Sequence, residues 1–450
     1  MRSKHPLIPT AACCASLLLT LPSATQADDW PQWLGPKRDG VWRETGILEN
    51  FPAGGPKVIW RTAIGAGYSG PAVAAGRVYL MDRTVEPGQS ASPAPKRRPS
   101  HGKERVLCLD ASNGHVLWEH AYDCTYGISY PAGPRVTPTV DGDRVYALGA
   151  EGNLLCIETA TGRPVWRRDL KDDYGAQPPI WGFAGHPLVD GEKLICLVGG
   201  EGSVAVAFDK RTGKEIWRAL SAQEIGYCPP TLIEAGGKRQ LLIWHPEALN
   251  SLDPDTGALF WREPFASRSG LTIAQPRQLG DLLFVSTFYS GPLMMRLAAD
   301  RPAATVAWRG SSESERQTDG LHALMCTPFL EDGHIYGVCS YGQLRCLRAD
   351  TGERLWSTLR ATTRNDTETR WANAFLVKQD DRFFLPNELG ELIIARLSPR
   401  GYEEIGRTRL LEPTNPDPRR TVVWSHPAFA NRRIYARNDR EIVCASLAKE

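Results

Sequence analysis

Apolar alternations of strand period run through most of the chain, nearly all opened by a proline and interrupted by a turn. They read PAVAAGRVYL from Pro71, PTVDGDRVYAL from Pro138, PLVDGEKLICL from Pro187 and PFLEDGHIYGV from Pro328, with further starts at Pro230, Pro276 and Pro427. An eighth, FLVKQDDRFFL from Phe375, lacks the proline. Side chains of a strand point to alternate faces, so this period predicts strands. Proline has no N–H to give to a ladder, which places it on an edge.

A second pattern follows each start. Arg105 to Leu109 is a β-rich run, Asn113-Gly114 supplies the positive φ of a tight turn, and Val116-Leu117-Trp118 begins the return strand. Aligned on the tryptophan, Asp110 to Trp118 recurs as ETATGRPVW ending at Trp166, DKRTGKEIW at Trp217, DPDTGALFW at Trp261, DRPAATVAW at Trp308 and RADTGERLW at Trp356. The tryptophans are spaced by 48, 51, 44, 47 and 48 residues, a period that marks a repeat architecture. Ten residues before each stands a small residue: Cys108, Cys156, Ala207, Ser251, Ala298 or Cys346. Each indole is therefore expected to stack over that position and against the neighbouring unit.

Eight starts predict an all-β fold, an eight-bladed β-propeller of four-stranded antiparallel blades whose inner strands edge a central channel. The seventh unit puts Ile405 where a tryptophan would stand. The eighth runs out at Glu450 with no fourth strand, and Lys57 to Ala63 (KVIWRTA), with Trp60 in the repeat position, is expected to supply it. That N-terminal strand closes the ring and removes its free edges.

The repeat resembles the tryptophan-docking motif A-x-D-x-x-T-G-K-x-x-W of the pyrroloquinoline-quinone (PQQ)-type β-propellers, with cysteine often in place of the first alanine. Residues 28–56 form a Pro/Gly/Trp-rich lead-in. Its string Trp30-Pro31-Gln32-Trp33, Gly35-Pro36 and Arg38-Asp39-Gly40 resembles the opening of secreted quinoprotein-like propellers of planctomycete type, which usually carry arginine at the place of Leu34. The lead-in is expected to be an apolar strap along the outside of the propeller, because exposed tryptophan at this density is unfavourable.

Composition bounds the remaining choices. The 450 residues suffice for a large core, and 42 glycines with 34 prolines suit a turn-rich all-β chain. A net charge of only +2 leaves no electrostatic footprint for nucleic acid. Residues 1–27 read as a secretory signal peptide: Arg2 and Lys4, the apolar Ala11 to Leu21, then Thr25-Gln26-Ala27. The run is too short to span a bilayer, and Cys13-Cys14 stand near its start, so neither an integral membrane segment nor a lipid anchor is expected. The location implied is periplasmic or secreted. Residues 57–450 would be the propeller, with the Pro/Ser-rich 84–104 insertion a mobile loop. Nine cysteines follow the leader, without C-x-x-C spacing, and read as small packing residues.

Function rests on the loops joining one blade to the next, which gather on one face. They carry Tyr68, Arg135, Trp181, His186, Tyr227, His322, Trp371 and His426 as binding candidates. No catalytic triad, phosphate loop or metal-ligand cluster is legible. The resemblance implies, for the quinoprotein alcohol dehydrogenases, a quinone stacked on tryptophan beside an adjacent-cysteine disulfide. It also implies calcium held by carboxylates and asparagine, with aspartate as base. Here the only adjacent cysteines lie in the leader. The chain is more similar to the non-catalytic branch, which includes the propeller of the outer-membrane assembly machinery. The expectation is therefore a monomeric scaffold that uses no cofactor and binds a protein or peptide on its loop face. The alternative is a PQQ-dependent oxidoreductase, with calcium, at a divergent site.

Overall fold

A computed structural model describes Met1 and residues 28–85, 99–364, 366–417 and 419–449. The signal peptide and residues 86–98 of the 84–104 insertion lie outside the described residues. The ends of that insertion are strand and not loop: one strand runs to Val85 and the next begins at Gly102.

The described chain forms eight four-stranded antiparallel sheets and one two-stranded hairpin, an eight-bladed propeller. Blade one is Ala72–Ala74, Arg77–Val85, Gly102–Asp110 and Val116–Asp123, from channel to rim. In a typical blade the second and third strands are apolar on both faces because a neighbouring blade covers each side. Arg144–Leu148 and Asn153–Glu158 are buried almost throughout, whereas the outer Pro164–Asp169 alternates between exposed and half-buried. Blade eight is completed as the sequence predicts: Val58–Ala63 pairs antiparallel with Glu441–Ser446, Trp60 opposite Cys444.

A β-bulge explains how the repeat tryptophans point. In every outer strand one extra residue precedes the tryptophan position: Trp118 faces Cys108 while Val116 faces Leu109, leaving Leu117 over. Bulges strengthen local twist, and the indole turns toward the next blade. There the Trp118 Nε1–H donates to Thr159 O at 2.9 Å, Trp217 to Pro254 O at 3.2 Å and Trp308 to Ala349 O at 2.9 Å. The ring lies on the next blade's turn glycine. A Cβ at Gly162 would stand 2.6 Å from Trp118, and one at Gly257 2.8 Å from Trp217. The Thr-Gly of the repeat thus answers two demands, positive φ and the absence of a side chain.

Two positions depart from the sequence reading because the hairpins of blades five and seven pair further beyond the bulge than that of blade one. Trp308 faces Met294 and not Ala298. In blade seven Ile405 is the bulged residue, and Gly406, opposite Ile394, holds the tryptophan place. Asn50 and Phe51 fill the space a side chain at Gly406 would need. Trp261 also differs. The turn it should meet, Asp300 to Ala303, has no glycine, and its indole donates instead to Gln240 Oε1 of its own blade at 2.8 Å.

The lead-in does not run along the outside. Trp30 exchanges two 2.8 Å backbone bonds with Val73, Val140 N donates to Pro31 O at 2.8 Å, and Trp42 N donates to Lys378 O at 2.7 Å. Val73, Val140 and Lys378 belong to the inner strands of blades one, two and seven. Those strands face the channel with unpaired backbone groups, which need partners, and the lead-in supplies them. Asp29 accepts from Ala75 N and Glu44 from Arg432 N, both in turns where an inner strand ends. The segment therefore closes the channel end opposite the interblade loops. Leu48 N then bonds Leu447 O at 2.9 Å as the chain passes out to the rim.

Candidate functional site

From the loop face the channel is open as a cavity of about 410 Å³, lined by aromatic and aliphatic side chains. Seven of the eight residues singled out from sequence line it: Tyr68, Arg135, Trp181, His186, Tyr227, Trp371 and His426. His322 does not. It is fully buried, its ring nitrogens against Phe288 O at 3.1 Å and Asp319 Oδ1 at 3.2 Å, and it braces the loop between blades five and six.

The floor comes from the lead-in. Trp33, 4% exposed, stacks on His186 with centroids 4.7 Å apart and planes 11° from parallel, and meets His426 edge-on at 5.6 Å. His426 lies against Phe375 at 3.6 Å, so the residue that breaks the proline rule is part of the site. His186 Nδ1 accepts from Thr137 N at 3.0 Å, which leaves the proton of the neutral ring on Nε2.

Burial holds both imidazoles neutral. His186 lies well below the usual histidine range, through burial first and then the nearby Arg38 and His426. Burial alone lowers His426 to about 3. A histidine depressed in the folded state costs stability once pH falls below its unfolded value near 6.5, because only the unfolded chain takes up the proton. Urea titrations at pH 7.5, 6 and 5 should show stability falling between pH 6.5 and 5. His426→Gln should make that fall shallower by up to about 1.4 kcal/mol per pH unit. Parallel slopes would contradict a buried neutral ring.

The walls hold features that sequence reasoning missed. Tyr130, Ser269 and Trp371 line the cavity at φ of 53°, 55° and 67°. Bulky residues there are uncommon. Trp371 is fixed by its N–H to Ser340 O at 2.9 Å and by Arg370 over its ring at 4.5 Å. The hairpin of Asn415–Asp417 and Arg420–Val422 ties blades one, two and seven together at the rim. Tyr68 Oη donates to Asn415 at 3.0 Å, Tyr130 Oη to Asp417 at 3.1 Å, and Arg420 Nε to Glu388 at 2.8 Å. Glu388 also accepts from Trp424 Nε1 at 2.9 Å, and burial raises its carboxyl. Nothing in the local sequence marks Trp33 and Trp424 as parts of one cavity, since they are 391 positions apart.

An eight-bladed ring with docked tryptophans and a loop-face cavity defines the class of PQQ-like β-propellers. Within it, the chain belongs to the family of the outer membrane protein assembly factor BamB, whose sequence profile matches residues 102–358 and 296–450. BamB of Shewanella oneidensis is 22% identical over 269 residues, 56% of this chain and 63% of that protein. Against this and other curated relatives the match spans less than two thirds of the relative's length. Among solved structures, BamB of Moraxella catarrhalis has a TM-score of 0.55 at 14% identity, covering 86% of this chain and 98% of that one. The quinohemoprotein alcohol dehydrogenase of Comamonas testosteroni has a TM-score of 0.60 at 13% identity, covering 94% and 81%. At such identities these two structures share the fold.

Proposed function

We propose that the chain is a non-catalytic binding propeller of the cell envelope, periplasmic or secreted, that takes an apolar segment of a protein or peptide partner into the loop-face cavity and serves envelope protein assembly. The observation that carries this reading is the left-handed backbone of Tyr130, Ser269 and Trp371 around one apolar cavity. Such conformations cost about 1–3 kcal/mol each and persist where surrounding structure is built to hold them, commonly at ligand clamps. The cavity also lies within the size range of ligand pockets, about 300–1,000 Å³. Aromatic and arginine side chains, which dominate binding hot spots, surround it. The matched family and relatives named for outer membrane protein assembly support the assignment.

The donor set of the cavity does not suit the quinone alternative. Residues lining the cavity include no aspartate, glutamate or asparagine, and the described cysteines are all buried and unpaired. Calcium and a quinone of the dehydrogenase type require those carboxylates and that asparagine. The residues present do not fit them.

The test places a photoreactive phenylalanine at Ile180 or Tyr289 in the cavity, and at Val306 on the outer wall, in the native host. One protein should be captured from both cavity positions and not from Val306. Equal capture from all three would remove the cavity as the site. Saturable PQQ binding with alcohol-dependent dye reduction would replace the reading by an oxidoreductase.

A further inference from the structure

We infer that the cavity recognises a ligand made of an apolar body bearing a single carboxylate, an anionic amphiphile of fatty-acid type, through Arg135. The inference goes beyond the protein-binding role proposed above, giving the same cavity a small-molecule ligand, and rests on that cavity being a binding site.

Arg135 stands in the wall with its guanidinium 5.1 Å above the Tyr68 ring. Its Nη2 donates to Ser129 O at 2.9 Å and Tyr130 O at 2.6 Å, and its Nη1 to Gly133 O. Three carbonyls thus fix the guanidinium in place without neutralising it, and Nε–H and one Nη1–H remain for a ligand. No ion pair is made by Arg135 among the described residues, and no carboxylate lines the cavity. The other cation of the wall, Arg370, is already matched by Glu315 at 2.6 Å. The contrast is informative. A half-buried charge beside apolar walls is unfavourable unless an opposite charge reaches it, and here the fold supplies none.

The rest of the cavity dictates the ligand's body. Ile180, Leu271, Ile273, Leu324 and Met325 join the aromatic rings in the lining, so removing apolar surface from water drives entry. At the floor, His186 presents an Nε2–H and no negative group, which disfavours a cationic ligand as well. A fixed guanidinium whose charge meets no carboxylate among the described residues suits an anionic head group better than a neutral hydroxyl.

The experiment measures binding of dodecanoate, dodecanol and dodecyltrimethylammonium, below their micelle concentrations, to the intact mature protein by calorimetry and tryptophan fluorescence. Dodecanoate should bind at least tenfold more tightly than either of the others. Arg135→Gln should abolish that preference while leaving dodecanol binding within about twofold, and Arg135→Lys should keep part of it. Because Arg135 also braces its loop, thermal unfolding of both variants is recorded, and the comparison among the three ligands on wild-type protein stands without either variant. Equal affinity for the three ligands, or a carboxylate preference that survives Arg135→Gln in a folded protein, overturns the inference. Failure of all three to bind does so too. Partner capture from Ile180 and Tyr289 would still decide the protein-binding role by itself.

Discussion

A chain lacking residues 28–63 is expected to aggregate instead of folding into a seven-and-three-quarter ring. The deletion strips Val58–Ala63 from Glu441–Ser446 and leaves a full-length edge on blade eight, the kind of exposed edge that pairs with other chains. It also removes the backbone partners of Val73, Val140 and Lys378 inside the channel. Trp30 and Trp42, fully buried in the core shared by blades one, seven and eight, would go with it. Size-exclusion chromatography with light scattering, after matched purification, reads the outcome. Trp33→Ala in the full-length chain serves as the control: it opens the cavity floor but keeps the ring closed, and should elute with wild type. If the deleted protein elutes as wild type does and unfolds cooperatively, closure by the N-terminal strand is not what holds the ring.

Trp217→Ala should cost about 3–5 kcal/mol, the range for truncating a buried aromatic ring. Trp217 is 7% exposed, spans the seam between blades three and four, and loses both its bond to Pro254 O and its seat on Gly257. Trp118, Trp308 and Trp356 make the same kind of bond to the following blade, at 2.9, 2.9 and 2.8 Å, as do Trp60 at 3.0 Å and Trp166 at 3.1 Å. Trp261 supplies the internal comparison, because its indole is held by Gln240 within its own blade. Trp261→Ala should cost less, because its half-buried ring has less apolar surface to lose and rests on no turn glycine of the next blade. Urea unfolding monitored by far-ultraviolet circular dichroism measures both. Equal costs would show that neither the deeper burial of Trp217 nor its docking on the next blade adds to stability.

The blade count and the closing strand could be read from the chain because each depends on local pattern. Period-two alternation sets strands, and Asn113-Gly114 or Thr161-Gly162 sets turns. Trp60 repeats the tryptophan motif where a strand was missing. The reading departs from the structure where the decisive partner is remote or a hairpin pairs further than its neighbours do. The bulge is common to all blades, but the longer hairpins of blades five and seven shift the register, so the spacing points to Ile405 where Gly406 stands and to Ala298 where Met294 stands. The lead-in's tryptophans demand burial but do not say where, so the sequence alone points to the outside. The channel's unpaired inner edges, distributed over several blades, decide that. Seven candidates met in one cavity because interblade loops must converge at the channel. The strain at Tyr130, Ser269 and Trp371 stayed invisible, since none is a glycine or asparagine that would advertise positive φ.

The closing strand also fixes a timetable. Arg61 meets Glu441, 380 residues later in the chain. The entropy of closing so long a loop grows only slowly with length, but non-local pairings of this kind slow folding. A ribosome makes the lead-in before any blade, yet Trp60 has no Cys444 to face, and Trp42 no Phe429 to pack on, until blade eight is made. The four tryptophans at positions 30, 33, 42 and 60 are thus the first to emerge and the last to be sheltered. Aromatic surface made early in synthesis waits for partners made near its end.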